Sequence, residues 1–503
     1  MRLLPLFGLL LAASPLAAQT ASPLSRAAGS ITRTDVARRI GIIADDSMMG
    51  RDTPSRGLEL TAKYVADQFR SFGLKPGGDA GGWFQRYPIT RRRLDLSKSS
   101  VVFDAGAVVD SAPLTRSARV VSGPARDRAI SGNAVLVGGA LTPGAIAGLA
   151  LKDRVVLYPL DPSRPGGEDA TQVIRAIRLS GSRAVILLSN LDSASFAARL
   201  PRIPPERTGA EVERAVPSVI EVEERAVTKA LRAAGVDLAA VRGATGPVYR
   251  AHPGLTIRVE LADSVLSSAT APNTVGILEG SDPGLKDQYL VFSAHMDHIG
   301  ITRGQADSIN NGADDDGSGT VGVVELAEAF SRSGARPRRS IIFLTVSGEE
   351  KGLWGSRYFT EHLPVPLDHV VADLNIDMIG RNWPDTIVAI GKEHSDLGTT
   401  LERVNAAHRE LGMTVIDDPW PDERFYFRSD HYNFARKGVP VLFFFSGVHQ
   451  DYHRVTDSPD KINSEKESRI LRLLFYLGQE IANSPKRPAW KPESYREIVD
   501  EAQ

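Results

Sequence analysis

The chain has 503 residues, of which 42% are hydrophobic and 24% charged, the profile of a soluble globular protein with two or three domains at roughly 100–200 residues each. Its 60 Lys and Arg stand against 61 Asp and Glu, a net charge of −1, which argues against nucleic acid or an anionic membrane as the main partner. There is no cysteine. A disulfide scaffold, a thiol nucleophile and a thiolate metal site are therefore excluded, and any metal must be held by His, Asp and Glu.

The first segment, MRLLPLFGLLLAASPLAA, reads as a secretory signal peptide over 1–18. Arg2 supplies a positive start, Leu3 to Ala13 is an apolar run too short to span a bilayer, and Ala17 and Ala18 suit cleavage. The expected mature protein is exported, to the periplasm or the medium. No other stretch approaches 18 apolar residues, so no transmembrane anchor is expected.

Residues 33–42 and 56–73 read as helices; the second sets Leu58, Ala62, Val65 and Phe69 on one face and stops at Gly73. Strands are expected at 84–89 and 100–103, with Arg91, Arg92 and Arg93 in a solvated turn between them. Short strands then dominate, at 134–137, 154–158, 184–188 and 218–222, with one helix at 171–179. No grouping of His and carboxylates marks this stretch as metal-binding. It reads as an inserted domain over 111–265 that separates an N-terminal part (25–110) from the main part (266–486). Ser264 to Pro272 is the expected return linker. From 273 onward strands alternate with helices. The runs 289–294, 340–346, 370–376 and 439–445 are almost wholly apolar, as in strands of a mostly parallel sheet covered on both faces; helices are expected at 318–332, 396–411 and 464–483. Residues 487–503 read as a tail.

Polar residues gather where this α/β pattern predicts a site, beyond the carboxyl ends of the strands. One strand runs into His295, with Asp297 two residues on. The loop NGADDDGSG carries Asp314, Asp315 and Asp316. The next strand ends in SGEE, giving Glu349 and Glu350; another ends at Asp377; the last is followed by Tyr452 and His453. Nine of the ten histidines lie between 295 and 453. Imidazole and carboxylate are good zinc ligands, and a carboxylate can bridge two ions roughly 3.5–4 Å apart. Two adjacent glutamates can divide the work of ligand and general base.

In this order, AHMDH, GADDDGSG, SGEE, NIDMIG and YHRVTDSPD resemble the M28 family of zinc aminopeptidases. FRSDHYNFARKGVPVLFF is similar to the bacterial members, and GRDTPSRGLELTAKYVADQFRSFGLKP to the family's lead-in. LKDRVVLYPLD and VPSVIEV make the insert resemble a protease-associated domain. The resemblance implies a zinc-exopeptidase α/β fold with a β-rich insert, and a pair of zinc ions as cofactor. It implies that His295 and Asp377 hold one zinc, that Glu350 and His453 hold the other, and that Asp315 bridges them. Glu349 would be the base for a water between the ions, Asp297 would orient His295, and Tyr452 would hydrogen-bond the substrate carbonyl. It also implies a cis peptide after the bridging Asp315. Peptides would be the substrates, cut at their N-terminal residue.

Three other readings of the same fold stand beside this one: a carboxypeptidase, with Arg424 or Arg428 holding the terminal carboxylate; a glutaminyl cyclase with one zinc; and a non-catalytic relict. The complete set of five ligands plus Glu349 argues against the last two. Asp316 is divided between a helix cap and the site, and Asp314 is read as a loop carboxylate in solvent. His298, His431, His449 and His394 receive no ligand role. Ser429, Asp430 and His431 are adjacent and so form no hydrolase triad, and no G-x-S-x-G elbow is present.

Overall fold

The computed structural model describes residues 22–123, 128–146, 148–160, 168–201, 203–210, 217–304, 306–332, 334 and 336–500. The expected signal peptide lies outside them. The chain forms two compact units, one of 1–86 with 271–503 and one of 87–270.

The first unit is a mixed α/β domain on a mostly parallel sheet. Strand order is 414–416, 386–390, 441–445, 370–376, 289–295, 340–346, then 274–278. The central four strands, Val441–Phe445, Val370–Ile376, Tyr289–His295 and Ser340–Val346, are parallel to one another. Alternate residues of each feed two separate cores. Leu290, Phe292, Ile341, Phe343, Leu374 and Phe444 pack on one face; Val291, Ile342, Leu344, Phe443 and Phe445 pack on the other. Both sets are apolar because both faces are covered, which is why the strands are continuous apolar runs.

Helices Arg33–Ile43, Arg56–Ser71, Gly319–Arg332, Leu397–Ala407 and Ser464–Asn483 form where periodicity places them. Thr32, Ser55 and Asn463 accept the N–H groups of Asp35, Leu58 and Lys466, capping the three helices that follow them. Leu58, Ala62, Val65 and Phe69 are buried as expected, and Gly73 follows the helix at φ +77°. Arg39 is buried between Glu325 and Glu328, tying helix 33–43 to helix 319–332.

The second unit holds a five-strand run in the order 128–139, 155–159, 184–189, 218–223, 118–122, of which the first four are parallel neighbours. Helix Glu168–Leu179 lies between two of them in sequence. Among the described residues, every candidate metal-binding group falls in the first unit.

Four expectations need correction. The unit starts at Tyr87 and ends at Thr270, not at 111 and 265, because Ile89–Arg93 pair with Glu206–Ala210 and Ser100–Asp104 with Val109–Pro113. Arg91, Arg92 and Arg93 are in strand, not turn: Arg91 and Arg93 meet Glu206, and Arg92 lies 2.9 Å from Asp263. The expected linker at 264–272 belongs to the long strand Pro247–Leu278, although residues 264–270 are exposed. Of the expected 487–503 tail, the described residues 487–500 are packed: Trp490 donates its indole N–H to the Gly438 carbonyl, and Ile498 and Val499 are buried.

Phe292 is fully buried and its ring meets those of Phe330 and Phe343. Phe292→Ala is expected to cost about 3–5 kcal/mol, read as a lower denaturant midpoint for the first unit. A loss below about 1 kcal/mol would show that this core can collapse around the gap.

Candidate metal centre and active site

Parallel strands of similar length end at one edge, and that edge gathers the polar residues. His295 is the last residue of its strand and pairs with Val346, the last of the next. Ser347, Gly348, Glu349 and Glu350 follow directly. Asp377 follows Ile376 at the end of the neighbouring strand. Asp315 reaches the same place from the 313–318 turn that leads into helix 319–332, and the Asp315–Asp316 peptide is cis, as the resemblance implied. His453, at φ +57°, comes from the loop after strand 441–445.

The distances define two groups that share Asp315. His295 Nε2 lies 3.3 Å from Asp315 Oδ1 and 3.6 Å from Asp377 Oδ1. His453 Nε2 lies 3.1 Å from Asp315 Oδ2 and 3.1 Å from Glu350 Oε2. Donors about 2.0–2.2 Å from a tetrahedral zinc stand roughly 3.3–3.5 Å apart, so both groups have the right spread. Asp315 Oδ2, Asp377 Oδ1 and Glu350 Oε1 are buried without a hydrogen-bond partner. Buried carboxylate oxygens left unpaired call for a cation, and the donor set fits two zinc ions.

Neighbours orient these groups. His295 Nδ1 faces Asp297, 3.2 Å from its carbonyl and 3.7 Å from its carboxylate. Asp297 in turn accepts from Thr53 Oγ1 at 3.0 Å and from the Glu349 N–H. Ser429 Oγ donates to Asp377 Oδ2 at 2.9 Å and accepts from Asn375 Nδ2. Ser429 is therefore a partner of Asp377, not a nucleophile.

Glu349 and Tyr452 line the cavity over this cluster, together with Met378, Phe425, Phe443, Phe445, Val448 and Arg428. Burial, opposed by His295 and reinforced by Asp430, Asp377 and Glu350, holds the Glu349 carboxyl well above the usual range. Burial and the nearby Asp315 carboxylate push the Tyr452 phenol up, which keeps it a neutral donor. Its ring stacks on His453 at 3.9 Å.

Asp316 is a structural residue. Its carboxylate accepts from the N–H groups of His295, Gly319 and Met378. Asp314 is not in solvent but fully buried, accepting from the Gly380 N–H and facing His449 Nε2 at 3.2 Å. His431 stacks on Phe443, and burial drives its pKa down to about 3, so it stays neutral. His394 packs on Tyr426 and meets Ser494. Arg424 does not line the cavity; Arg428 does, with its guanidinium also on Glu423 and Phe425.

Two residues escaped the sequence reading. His298 is fully buried beside Glu350 and Asp315; its only signal was its place in the AHMDH run. Arg51 is also fully buried, at φ +50°. It donates to the carbonyls of Met296 at 2.9 Å, Ile43 at 3.0 Å and Gly312 at 2.7 Å, and to that of Asn311. It thus joins the His295 turn to the loop that carries Asp315, and places a fixed cation under the acidic cluster.

Residues 273–478 match the model of peptidase family M28. Over 196 residues the chain is 32% identical to leupeptin-inactivating enzyme 1 of Streptomyces exfoliatus, covering 39% of this chain and 40% of that protein. Over 216 residues it is 30% identical to leucine aminopeptidase 1 of Penicillium rubens, covering 40% and 55%. The chain thus spans about half the length of the curated relatives it matches. An aminopeptidase from Aneurinibacillus sp. strain AM-1 shares the fold: TM-score 0.50 at 18% identity, over 93% of this chain and 98% of that one. No helix among the described residues is long and apolar enough to cross a membrane.

Arg51→Met removes the cation and leaves several buried carbonyls without a donor. It is expected to cost at least about 3 kcal/mol, measured by denaturant unfolding of metal-free protein. An unchanged midpoint would mean that Arg51 does not hold the two loops together.

Proposed function

We propose that the chain is a di-zinc aminopeptidase that removes N-terminal residues from peptides. The observation that carries this reading is the pair of donor groups joined through Asp315, with Glu349 in the cavity beside them. The M28 match and relatives named as a leucine aminopeptidase and zinc metalloproteases support it.

His295 and Asp377 would hold one ion and Glu350 and His453 the other, with Asp315 shared between them. When bound, the two ions supply the Lewis acidity that polarises the scissile carbonyl and lowers the pKa of the attacking water. Glu349 has no ligand duty; it takes the proton of that water and delivers it to the leaving amine. The neutral Tyr452 hydroxyl donates to the oxygen on which charge develops. Asp297 fixes the tautomer of His295 through Nδ1. The carboxylates of the cavity wall attract the free α-amino group of the substrate. Phe425, Phe443, Phe445, Val448 and Met378 form an apolar wall for the first side chain, which points to apolar N-terminal residues.

Aminoacyl-anilides with a free amine are the expected substrates, cleaved only in the absence of chelator, and their N-acetylated counterparts should not be cut. Cleavage of both sets would refute recognition of the amine. Glu349→Gln is expected to keep both zinc ions and lose 10²-fold or more in kcat, a loss on the order of general-base catalysis; loss of metal would make Glu349 a ligand instead. Asp315→Ala is expected to lose both ions together, measured as zinc per chain, and retention of two equivalents would refute the bridge.

Zinc binding should also release protons. Burial lowers the His453 pKa, but hydrogen bonds and charge from Asp315 and Glu350 outweigh it and raise the value to about 10. The imidazole is therefore protonated at neutral pH before metal binds, and ligation requires it neutral. Affinity should rise with pH up to that value, and titration calorimetry in buffers of different ionisation enthalpy should show proton release. Absence of release would contradict ligation by His453.

A further inference from the structure

We propose that His298 is a fourth protein ligand at the Glu350 and His453 position, which makes the two metal positions chemically unequal. The inference rests on the dinuclear reading above and assigns a residue for which that reading has no use.

His298 is fully buried, and neither ring nitrogen has a hydrogen-bond partner. A buried imidazole left unpaired is costly, so its position calls for a partner. Nδ1 lies 2.9 Å from Glu350 Oε1 and 3.7 Å from Asp315 Oδ2. The shorter contact has hydrogen-bond length but not hydrogen-bond alignment, and Glu350 Oε1 is likewise unpartnered. Two such atoms, close together yet not aimed at each other, fit lone pairs that converge on a third point. These separations bracket the roughly 3.3–3.5 Å expected between donors on one zinc. Nδ1, an Asp315 oxygen and a Glu350 oxygen all lie within 4.8 Å of one another.

The ring is held in place by backbone. Gly312, at φ +56°, approaches so closely that a Cβ there would stand 2.6 Å from His298 Cγ and Cδ2. The His298 N–H donates to the Arg51 carbonyl. His453 meets the same two carboxylates from the open side, with 37% of its side chain exposed, and its ring sits edge-on to His298 at 5.7 Å. One position therefore offers two imidazoles, Glu350 and the shared Asp315. The other offers His295, Asp377 and the same Asp315. The added nitrogen donor favours zinc or cobalt over manganese or magnesium at the first position.

The test uses the full chain, loaded with zinc and dialysed against a weak chelator, with zinc per chain measured by elemental analysis. Wild type should retain two ions. His298→Ala should retain one, with the second at least tenfold weaker, and added imidazole should restore it. Two ions held by His298→Ala at wild-type affinity would overturn the proposal. So would full recovery by His298→Asn, whose amide can hydrogen-bond Glu350 but is a poor zinc ligand. Should the variants fail to fold, X-ray absorption at the zinc edge of the wild type decides: three imidazoles over two ions supports the ligand, and two overturns it. Wild type that binds no zinc would remove the dinuclear reading itself, and the proposal with it.

Discussion

Crowding of buried carboxylates is the constraint on which this site depends. Asp297, Asp314, Asp315, Asp316 and Asp377 are all buried at one edge of the sheet, with Glu349 and Glu350 beside them. Like charges in a low dielectric repel strongly, and each carboxylate must find donors, a proton or a cation. The fold gives donors to some and withholds them from others. Asp316 has three backbone N–H groups, Asp314 has the Gly380 N–H, and Asp297 has Thr53 and Glu349. Asp314, Asp315, Asp377 and Glu350 each keep an oxygen without a hydrogen bond, and these oxygens face the imidazoles of His449, His453, His295 and His298. Asp315, Asp377 and Glu350 converge with imidazoles into groups of three donors, whereas Asp314 meets His449 outside them.

The same logic explains why buried cations and donors come from distant parts of the chain. Arg51, from the lead-in before helix 56–71, reaches the Met296 carbonyl beside His295 and the Asn311 and Gly312 carbonyls just ahead of the acidic loop. Thr53 reaches Asp297 and the Gly348 N–H. The N-terminal segment therefore belongs to the site, although it carries none of the donor atoms. The parallel sheet supplies the rest of the geometry: equal registers bring His295 and the Glu349–Glu350 pair to one edge without a long loop between them.

Most of the candidate donor cluster was legible because strand ends and adjacent acids leave a mark in sequence. His295, Asp315, Glu350, Asp377 and His453 fall together, and so do the apolar strands that carry them. His298 was passed over because a histidine beside a motif looks the same whether it ligates or packs. Arg51 was invisible for a related reason: a guanidinium satisfied by backbone carbonyls has no partner residue to read. Asp314 read as a solvent carboxylate because nothing in an Asp triplet shows the Gly380 N–H that it accepts from once buried. The C-terminal border of the 87–270 unit was misplaced because the exposed stretch 264–270, SVLSSAT, carries no strand signal. Such a stretch shows no apolar alternation, so it reads as linker.

The central claim is that this acidic cluster holds two ions bridged by Asp315. Anomalous diffraction at the zinc edge, from crystals of zinc-loaded protein, tests it most directly. The account predicts two peaks roughly 3.5–4 Å apart, with Asp315 between them. A single peak, or two peaks with Asp315 bound to only one, would contradict it.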